Sequence, residues 1–322
     1  MAKGSAKKPV RKGAKKKNGR SFGLFCLFLF VGATLVAGFY FMALYPGSAP
    51  DPATPTLSGQ AKKKLPARET DALPGALYEE PSLSGQAPPV AASAKKPAAK
   101  TLAGKPLVAI VIDDMGDRQN TGQALIALDL PLSFAFLPFT PFSEELQKEA
   151  RAKGRDILLH LPLEPVDSKT NPGRGALTTA MDPEIMRSRF REALHTIPGA
   201  VGISNHMGSR FTASPQAMRI LLTLVRERDL FFLDSVTASQ SVGYDLAQEM
   251  GIKAERRTVF LDNDQNPDKI RAQLDLLIRL AGEHGQAVGI GHPYPATVEA
   301  LRSHQSQLRS RTEMVGLSRL VH

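Results

Sequence analysis

From residue 105 onward, continuous apolar runs alternate with amphipathic stretches. The runs cover residues 107–112, 132–137, 156–161, 200–204, 230–234, 257–262, 287–292 and 313–317. Between them, helical periodicity occupies residues 143–153, 182–195, 215–228 and 267–283. Unbroken apolar runs are typical of strands that are buried on both faces of a parallel sheet. Seven or eight strand–helix units therefore predict an α/β fold, a (β/α) barrel that is complete or incomplete.

A doubly wound open sheet would also alternate strands with helices and is the alternative fold. Its dinucleotide-binding form requires a glycine-rich loop after the first strand. No such loop follows residues 107–112, so the barrel is the preferred prediction for a domain spanning residues 105–322.

A second hydrophobic pattern lies near the amino terminus, where residues 22–45 contain no charged side chain. About 20 such residues span a bilayer, and a flank rich in Lys and Arg stays in the cytoplasm. The pattern predicts a transmembrane signal-anchor at 22–45, with residues 1–21 as a basic cytoplasmic tail. The alternative is a cleaved signal peptide. Either interpretation places the later domain in the periplasm or another extracytoplasmic space.

Residues 46–104 are rich in Pro, Ala, Ser and Lys and show neither strand nor helix periodicity. This composition predicts a disordered linker that spaces the domain from the membrane. The only cysteine, Cys26, lies in the predicted span. An exported domain without cysteine has no disulfide and no thiol catalysis.

The net charge of +10 is concentrated in the amino-terminal tail, where residues 1–21 hold nine Lys or Arg and no acid. Residues 105–322 hold 25 bases and 26 acids. A domain that binds nucleic acid needs a basic face of its own. Nucleic acid is therefore excluded as the expected partner.

Ionisable side chains follow most of the predicted strands directly. The strand ends carry Asp113, Asp114, His160, His206, Asp234, Asp262 and His292. In a parallel barrel these ends meet on one rim, where active sites form. Carboxylate and imidazole ligands favour a borderline divalent ion, with Zn²⁺ the first choice. One carboxylate of the adjacent pair can bind the metal while its neighbour acts as a general base.

The segments "AIVIDDMG", "ILLHLPLEP", "GISNHMGSRFT", "LDSVT" and "GIGHPYPAT", in this order, resemble the divergent polysaccharide deacetylase family. That family is remotely related to metal-dependent enzymes that remove N-acetyl groups from chitin-like or peptidoglycan sugars. The resemblance covers roughly residues 105–320. It implies a distorted seven- or eight-unit (β/α) barrel.

The resemblance also implies roles for individual residues. Asp113 matches the general base, and Asp114 matches a metal ligand. His206 matches the first His of a His-x-x-x-His metal motif, while Arg210 stands where the second His would be. His292 matches the His that protonates the leaving amine. An Arg-x-Pro-Tyr motif is absent, so no residue is assigned to steady Asp113.

His160 has no counterpart among those motifs. We infer from its place at the end of the third strand that it supplies the missing metal ligand.

Each candidate has a structural alternative. Asp113 or Asp114 could cap the following helix; His160, His206 and His292 could order a loop or turn. Asp234 is equally a helix cap or a ligand, and Asp262 is best interpreted as part of a capped turn. Phe139 and Phe142 could line a sugar site or pack in the core. Residues 167–178 could form a lid or a plain loop.

Three functions fit these patterns. The first is a membrane-anchored, extracytoplasmic, Zn²⁺-dependent hydrolase that removes acetyl groups from a cell-envelope polysaccharide or a peptidoglycan-type substrate. The second is a non-catalytic envelope protein that uses the fold to bind glycan or protein. The third is another metal-assisted hydrolysis such as phosphoester cleavage, which no phosphate-binding glycine loop supports. The sequence predicts no oligomeric state.

Overall fold

The computed structural model describes residues 104–322. The predicted cytoplasmic tail (1–21), the signal-anchor (22–45) and all of the linker except Gly104 lie outside the described residues. Among the helices of residues 104–322, none is both long and apolar enough to span a bilayer.

The described chain forms nine strands and seven α-helices. The strands are β1 (Leu107–Met115), β2 (Ser133–Phe136), β3 (Ile157–Leu163), β4 (Gly202–Met207), β5 (Phe231–Asp234), β6 (Ala254–Arg256), β7 (Val259–Phe260), β8 (Gln286–Gly291) and β9 (Glu313–Met314). The helices are α1 (Gln119–Ile126), α2 (Ser143–Ala152), α3 (Pro183–Thr196), α4 (Pro215–Arg226), α5 (Gly243–Glu249), α6 (Pro267–His284) and α7 (Pro295–Arg311). A 3₁₀ turn, Leu317–Arg319, follows β9.

Four of the helices begin with proline, and a polar side chain caps the first turn of three of them. The side chains of Asp182, Ser214 and Asn266 accept backbone hydrogen bonds at the first turns of α3, α4 and α6. Proline has no backbone N–H to leave unpaired at the first helical position, so this pairing favours a helix start. The starts predicted near 182, 215 and 267 are confirmed within one residue.

All strand pairs are parallel, in the order β6-β5-β4-β3-β2-β1-β8-β7, and β9 pairs with the beginning of β1. The first strand therefore lies next to the penultimate run, as in a curled barrel-like sheet. A doubly wound sheet would instead reverse its strand order partway. The α/β class and the curled parallel sheet are confirmed.

A regular barrel is not formed, because the run predicted at 257–262 forms a strand only at Val259–Phe260 and a separate short strand, β6, precedes it. β6 pairs with β5, whereas β7 pairs with β8. Between them, Arg257 N donates to Asp234 O of β5 at 2.9 Å, and Thr258 N donates to Val288 O of β8 at 2.8 Å. Consecutive residues thus join the two ends of the sheet. We call residues 254–260 the seam.

The two faces of the sheet carry separate apolar clusters. Alternate residues of a strand point to opposite faces. In β1, Val108, Ile110 and Ile112 pack with the helices outside the sheet. Ala109 and Val111 belong to an inner cluster that contains no α-helical residue and is filled from the carboxyl terminus by Val315, Leu317, Leu320 and Val321. The predicted eighth run, 313–317, is therefore a strand for only two residues and then fills the interior.

Candidate metal centre

The inner faces of five strands deliver five polar side chains to one rim. Alternation places Asp113 in line with the inner residues Ala109 and Val111, and His292 in line with Val288 and Ile290. The same alternation brings His160, His206 and Ser235 to the rim from β3, β4 and β5. All five are at most 3% exposed. The convergence expected from the sequence is therefore present.

Asp114 should point to the outer face if β1 continued regularly, but its backbone departs from the strand. Its φ is +54°, in the left-handed region. The pairing of β1 with β2 shifts register between Ile112 and Met115. Asp tolerates this conformation better than most residues. The local irregularity lets two adjacent carboxylates serve one site.

Three ligand-type atoms converge at this rim. Oδ1 of Asp114 lies 2.9 Å from Nδ1 of His206 and 3.2 Å from Nε2 of His160. The two imidazole nitrogens are 3.3 Å apart. Zn²⁺ holds tetrahedral N and O ligands at about 2.0–2.1 Å, which places the ligand atoms about 3.3 Å from one another. The donor set and its spacing therefore fit a divalent metal.

The hydrogen bonds of the two histidines support the same interpretation. Nδ1 of His160 lies 2.7 Å from Oγ of Ser204, so a proton on Nδ1 leaves the Nε2 lone pair directed at Asp114. Nε2 of His206 is buried and has no hydrogen-bond partner among residues 104–322. If Nε2 carries the ring proton of His206, then Nδ1 of His206, Nε2 of His160 and Oδ1 of Asp114 are all acceptors and face one another. A cation would stabilise this arrangement.

The electrostatics of Asp114 are dominated by these neighbours. Burial by itself raises the pKa of this carboxyl. When the imidazole nitrogens that face Asp114 carry protons instead, the charge of His206 and hydrogen bonds from His160 and His206 outweigh burial, and the pKa of Asp114 falls well below its usual value. The charge of His292 acts in the same direction. Asp114 is therefore ionised at neutral pH, as a metal ligand must be.

Asp113 lies beside the cluster in a set of polar contacts from β5. The hydroxyl of Ser235 donates to Oδ2 of Asp113 at 3.3 Å. Ser235 is held on both sides of its own backbone: Asn205 Oδ1 accepts from its N–H at 2.9 Å, and Arg257 Nε donates to its carbonyl at 2.7 Å. Nδ1 of His160 lies 3.8 Å from Oδ2 of Asp113. The sequence named no residue to steady Asp113, and Ser235 contacts it here.

His292 is fixed by Asp262, which corrects the interpretation of Asp262 as only part of a capped turn. Nδ1 of His292 lies 2.8 Å from Oδ1 of Asp262, and the His292 N–H donates to Oδ2 at 2.6 Å. Thr297 Oγ1 also donates to Oδ2, at 2.6 Å. A carboxylate on Nδ1 holds the proton there and directs Nε2 outward.

Asp234 resolves to the structural alternative. Its carboxylate accepts from Val236 N at 2.9 Å, from Ser241 Oγ at 2.7 Å and from Tyr244 N at 3.1 Å. These bonds order the turn after β5 and the start of α5. Asp234 is therefore a capping residue outside the ligand cluster.

Arg210, at the motif position of a second His, lies away from the cluster. Its guanidinium donates to Val166 O at 3.1 Å and lies 3.6 Å from Glu164. His160 lies in the place that the sequence prediction gave it. Its role as a metal ligand stays a prediction.

The loop 167–178 lies against the aromatic residue that follows β2. The guanidinium carbon of Arg174 is 4.4 Å from the ring centroid of Phe139. Phe139 and Phe142 are both partly buried and packed against the outer core. Core packing, one of the two expectations, thus applies to both side chains.

Ser204, Asn205, Ser235 and Asp262 are the residues of this rim that sequence reasoning missed or left without a role. Period-two alternation could have found Ser204 and Ser235, because they share a face with His206 and with Leu233. Asp262 offered no such signal, because the strand before it, β7, is only two residues long.

Comparisons with known proteins agree with this fold. A family model for the divergent polysaccharide deacetylases matches residues 110–321. An uncharacterized protein of Haemophilus influenzae is 37% identical over 213 residues, which are 66% of this chain and 76% of that protein. The uncharacterized protein YibQ of Escherichia coli is 37% identical over 221 residues, 69% of this chain and 68% of its own. The crystal structure of an uncharacterized protein from Agrobacterium tumefaciens is similar with a TM-score of 0.65 and 29% identity, covering 69% of this chain and 91% of that one.

Proposed function

Since the chain belongs to the divergent polysaccharide deacetylase family, we propose that it is a metal-dependent hydrolase that removes acetyl groups from the amino sugars of a cell-envelope glycan. The observation that carries this proposal is the convergence of Asp114, His160 and His206 on one point, beside a second carboxylate. A protein that only bound glycan would have no need for this arrangement.

Asp114, His160 and His206 would hold the metal, and Zn²⁺ suits one oxygen and two nitrogen donors. When bound, it would lower the pKa of a coordinated water and stabilise negative charge on the carbonyl oxygen. Ser204 would keep His160 in the tautomer that presents Nε2. Such outer contacts orient ligands and raise their basicity.

Asp113 would accept the proton of the attacking water as general base. Its fully buried carboxylate is next to the proposed ligand Asp114 and accepts a hydrogen bond from Ser235. A neutral hydroxyl donor positions a carboxylate without adding the charge of an arginine.

His292 would donate a proton to the departing amine, completing the amide cleavage. Asp262 fixes the ring through Nδ1, so the proton to be transferred is the one on Nε2. Asp262 is a positioning residue, because it acts through His292.

We also propose, from the sequence of residues 1–45, that the domain is held in the periplasm or another extracytoplasmic space by an anchor at 22–45. A substrate in the cell envelope follows from that location. Fractionation of cells with protease protection of the intact chain tests it. Digestion of the domain in whole spheroplasts is the expected result, and protection would contradict it.

The test of the activity uses the purified full-length chain. We expect a divalent ion in near-equimolar amount by elemental analysis, and acetate release from N-acetylated glycans. Ligand binding at 100 times Kd stabilises a protein by about 2.7 kcal/mol, and 1 kcal/mol shifts the Tm of a domain this size by about 2–4 °C. Added Zn²⁺ should therefore raise Tm by about 5–10 °C.

Variants decide whether that metal occupies the proposed centre. His206→Ala should abolish the Tm increase, whereas His195→Gln, an exposed histidine at the end of α3, should keep it. No metal in the wild type, or an equal Tm increase in His206→Ala, would refute the proposal. The non-catalytic envelope protein would then be favoured, as the arginine at position 210 already suggests.

A further inference from the structure

Two arginines lie over aromatic rings on either side of β1 at the rim. The guanidinium carbon of Arg118 is 5.4 Å from the ring centroid of Tyr294, and that of Arg174 is 4.4 Å from the centroid of Phe139. Tyr294 follows β8 and Phe139 follows β2, which are the two neighbours of β1. The arginines thus flank the strand that ends in the two adjacent carboxylates.

The backbone around Arg174 is built for this contact. Gly173 and Gly175 both have left-handed φ, +99° and +84°. A Cβ at Gly175 would lie 2.7 Å from Cε2 of Phe139, so only glycine permits the close approach. Phe139 itself has φ +61°, which is strained for a bulky residue. Strain of this kind persists where the surrounding structure enforces it, and it concentrates at ligand sites.

Arg118 is linked to the candidate general acid, His292, through the ring of Tyr294. The ring of Tyr294 stacks on the imidazole of His292, with centroids 5.6 Å apart and an interplanar angle of 27°. Arg118 lies over the same ring and is exposed. Tyr294 thus contacts both His292 and Arg118. A ligand that reaches His292 would therefore meet the exposed guanidinium of Arg118 close by.

The guanidinium groups differ from most arginines of the outer helices in their partners, although the charge of Arg118 does act on the neighbouring carboxyl of Asp117. Within residues 104–322, Arg118 and Arg174 form no ion pair with Asp or Glu. Arginines on the outer helices, such as Arg219 and Arg279, do pair with glutamates, at 2.9 and 2.8 Å. Stacking on a ring holds a guanidinium in place and leaves its N–H groups available for a planar anion.

We propose that the substrate glycan is acidic, and that Arg118 and Arg174 bind carboxylates of sugar residues on either side of the residue that is deacetylated. This inference rests on the proposed function and adds the chemical class of the substrate. A guanidinium binds a carboxylate through two parallel hydrogen bonds. A neutral chitin-like chain has no group of that kind. The carboxylate can belong to a uronic acid or to the lactyl ether of a muramic acid.

The test measures binding to the full-length chain carrying Asp113→Asn, so that no turnover occurs during titration. The probes are two tetrasaccharides, one of alternating N-acetylglucosamine and glucuronic acid and one of alternating N-acetylglucosamine and N-acetylmuramic acid. Each is compared with its counterpart in which the carboxyl groups are reduced to alcohols. The acid that binds more tightly identifies the source of the carboxylate.

We expect the acidic form of at least one probe to bind at least tenfold more tightly than its reduced counterpart. Arg118→Gln and Arg174→Gln should each weaken binding of the acidic form about tenfold and leave the reduced form unchanged. Arg118→Lys and Arg174→Lys, which keep the charge without the fork, should fall between. Arg302→Gln, at an exposed position on α7, is the matched control and should retain the full preference.

Equal affinity for acidic and reduced glycans, a preference that survives Arg118→Gln with Arg174→Gln, or no binding of any probe would overturn the proposal. Its failure is distinguishable from that of the hydrolase. Acetate released by the wild type at equal rates from acidic and reduced glycans would retain the hydrolase and reject the acidic substrate. A preference for carboxylates without acetate release or bound metal would retain the binding of acidic glycans and reject the hydrolase.

Discussion

Asp262 holds His292 at two points, accepting one hydrogen bond from its backbone N–H at 2.6 Å and contacting ring Nδ1 at 2.8 Å. The backbone contact fixes the position of the residue, and the ring contact fixes the tautomer. A single carboxylate therefore determines which nitrogen of His292 can exchange a proton with a ligand.

Asp262→Asn tests this relationship. The amide can donate to Nδ1 and so stabilise the wrong tautomer, with little change in shape. We expect kcat for deacetylation to fall towards the full contribution of a general acid, about 10²–10⁴-fold, with metal content and KM unchanged. Thr297→Val, which removes only one donor to Asp262, should have a much smaller effect. A wild-type kcat in Asp262→Asn would show that His292 does not transfer the proton.

The adjacent carboxylates predict opposite phenotypes for two nearly identical substitutions. Asp114→Asn removes a ligand charge, so we expect the metal content of the purified chain to drop and activity to fall with it. Asp113→Asn should leave metal content intact while kcat falls about 10²–10⁴-fold. Elemental analysis and acetate release measure both. Loss of metal from Asp113→Asn together with its retention by Asp114→Asn would reverse the two assignments.

Val236 follows Ser235 with φ +50°, a left-handed conformation that a β-branched residue rarely adopts. Such a residue stores about 1–3 kcal/mol of strain, and Asn enters this region more easily. We expect Val236→Asn to raise the free energy of unfolding by about 1 kcal/mol, measured by urea denaturation. Val201→Asn, at an exposed valine without this conformation, is the control and should not stabilise. Destabilisation by Val236→Asn would show that packing outweighs the strain.

The carboxyl of Asp117 should make the stability of the folded protein depend on pH. Burial raises its pKa, and the charge of Asp114 adds to this effect, while Arg118 opposes it. A raised carboxyl pKa favours the protonated form in the folded protein. Its contribution to stability is therefore favourable below the ordinary value of 3.8 and is lost as pH rises through the raised pKa.

In metal-free protein, Asp117→Asn should thus have a higher Tm than the wild type at pH 7, with a difference that shrinks as the pH is lowered towards 4. Thermal denaturation in EDTA across this range measures it. A difference that grows on acidification would contradict the stated direction of the shift.

The sequence predicted most of the strand positions because both faces of these strands are buried, which leaves unbroken apolar runs. It also predicted most of the residues that meet at the rim, since the carboxyl-terminal strand ends face the same way, although Asp234 caps a turn instead. Asp114 and Asp262 show where such reasoning stops. The side chain of Asp114 reaches the site only through a backbone irregularity, and Asp262 becomes a partner of His292 only because the seam brings the end of β7 against β8. Both depend on tertiary geometry that no local pattern carries.

The seam also influences the distance between Asp113 and His292. Through Arg257 it holds the backbone of Ser235, which contacts Asp113, and through β7 and Asp262 it holds His292. The proposed general base, Asp113, and the proposed general acid, His292, are thus both positioned by the seven consecutive residues of the seam. A change in the length or conformation of the seam would therefore alter the spacing of Asp113 and His292, and with it the size of sugar that fits between them, while leaving Asp114, His160 and His206 in place.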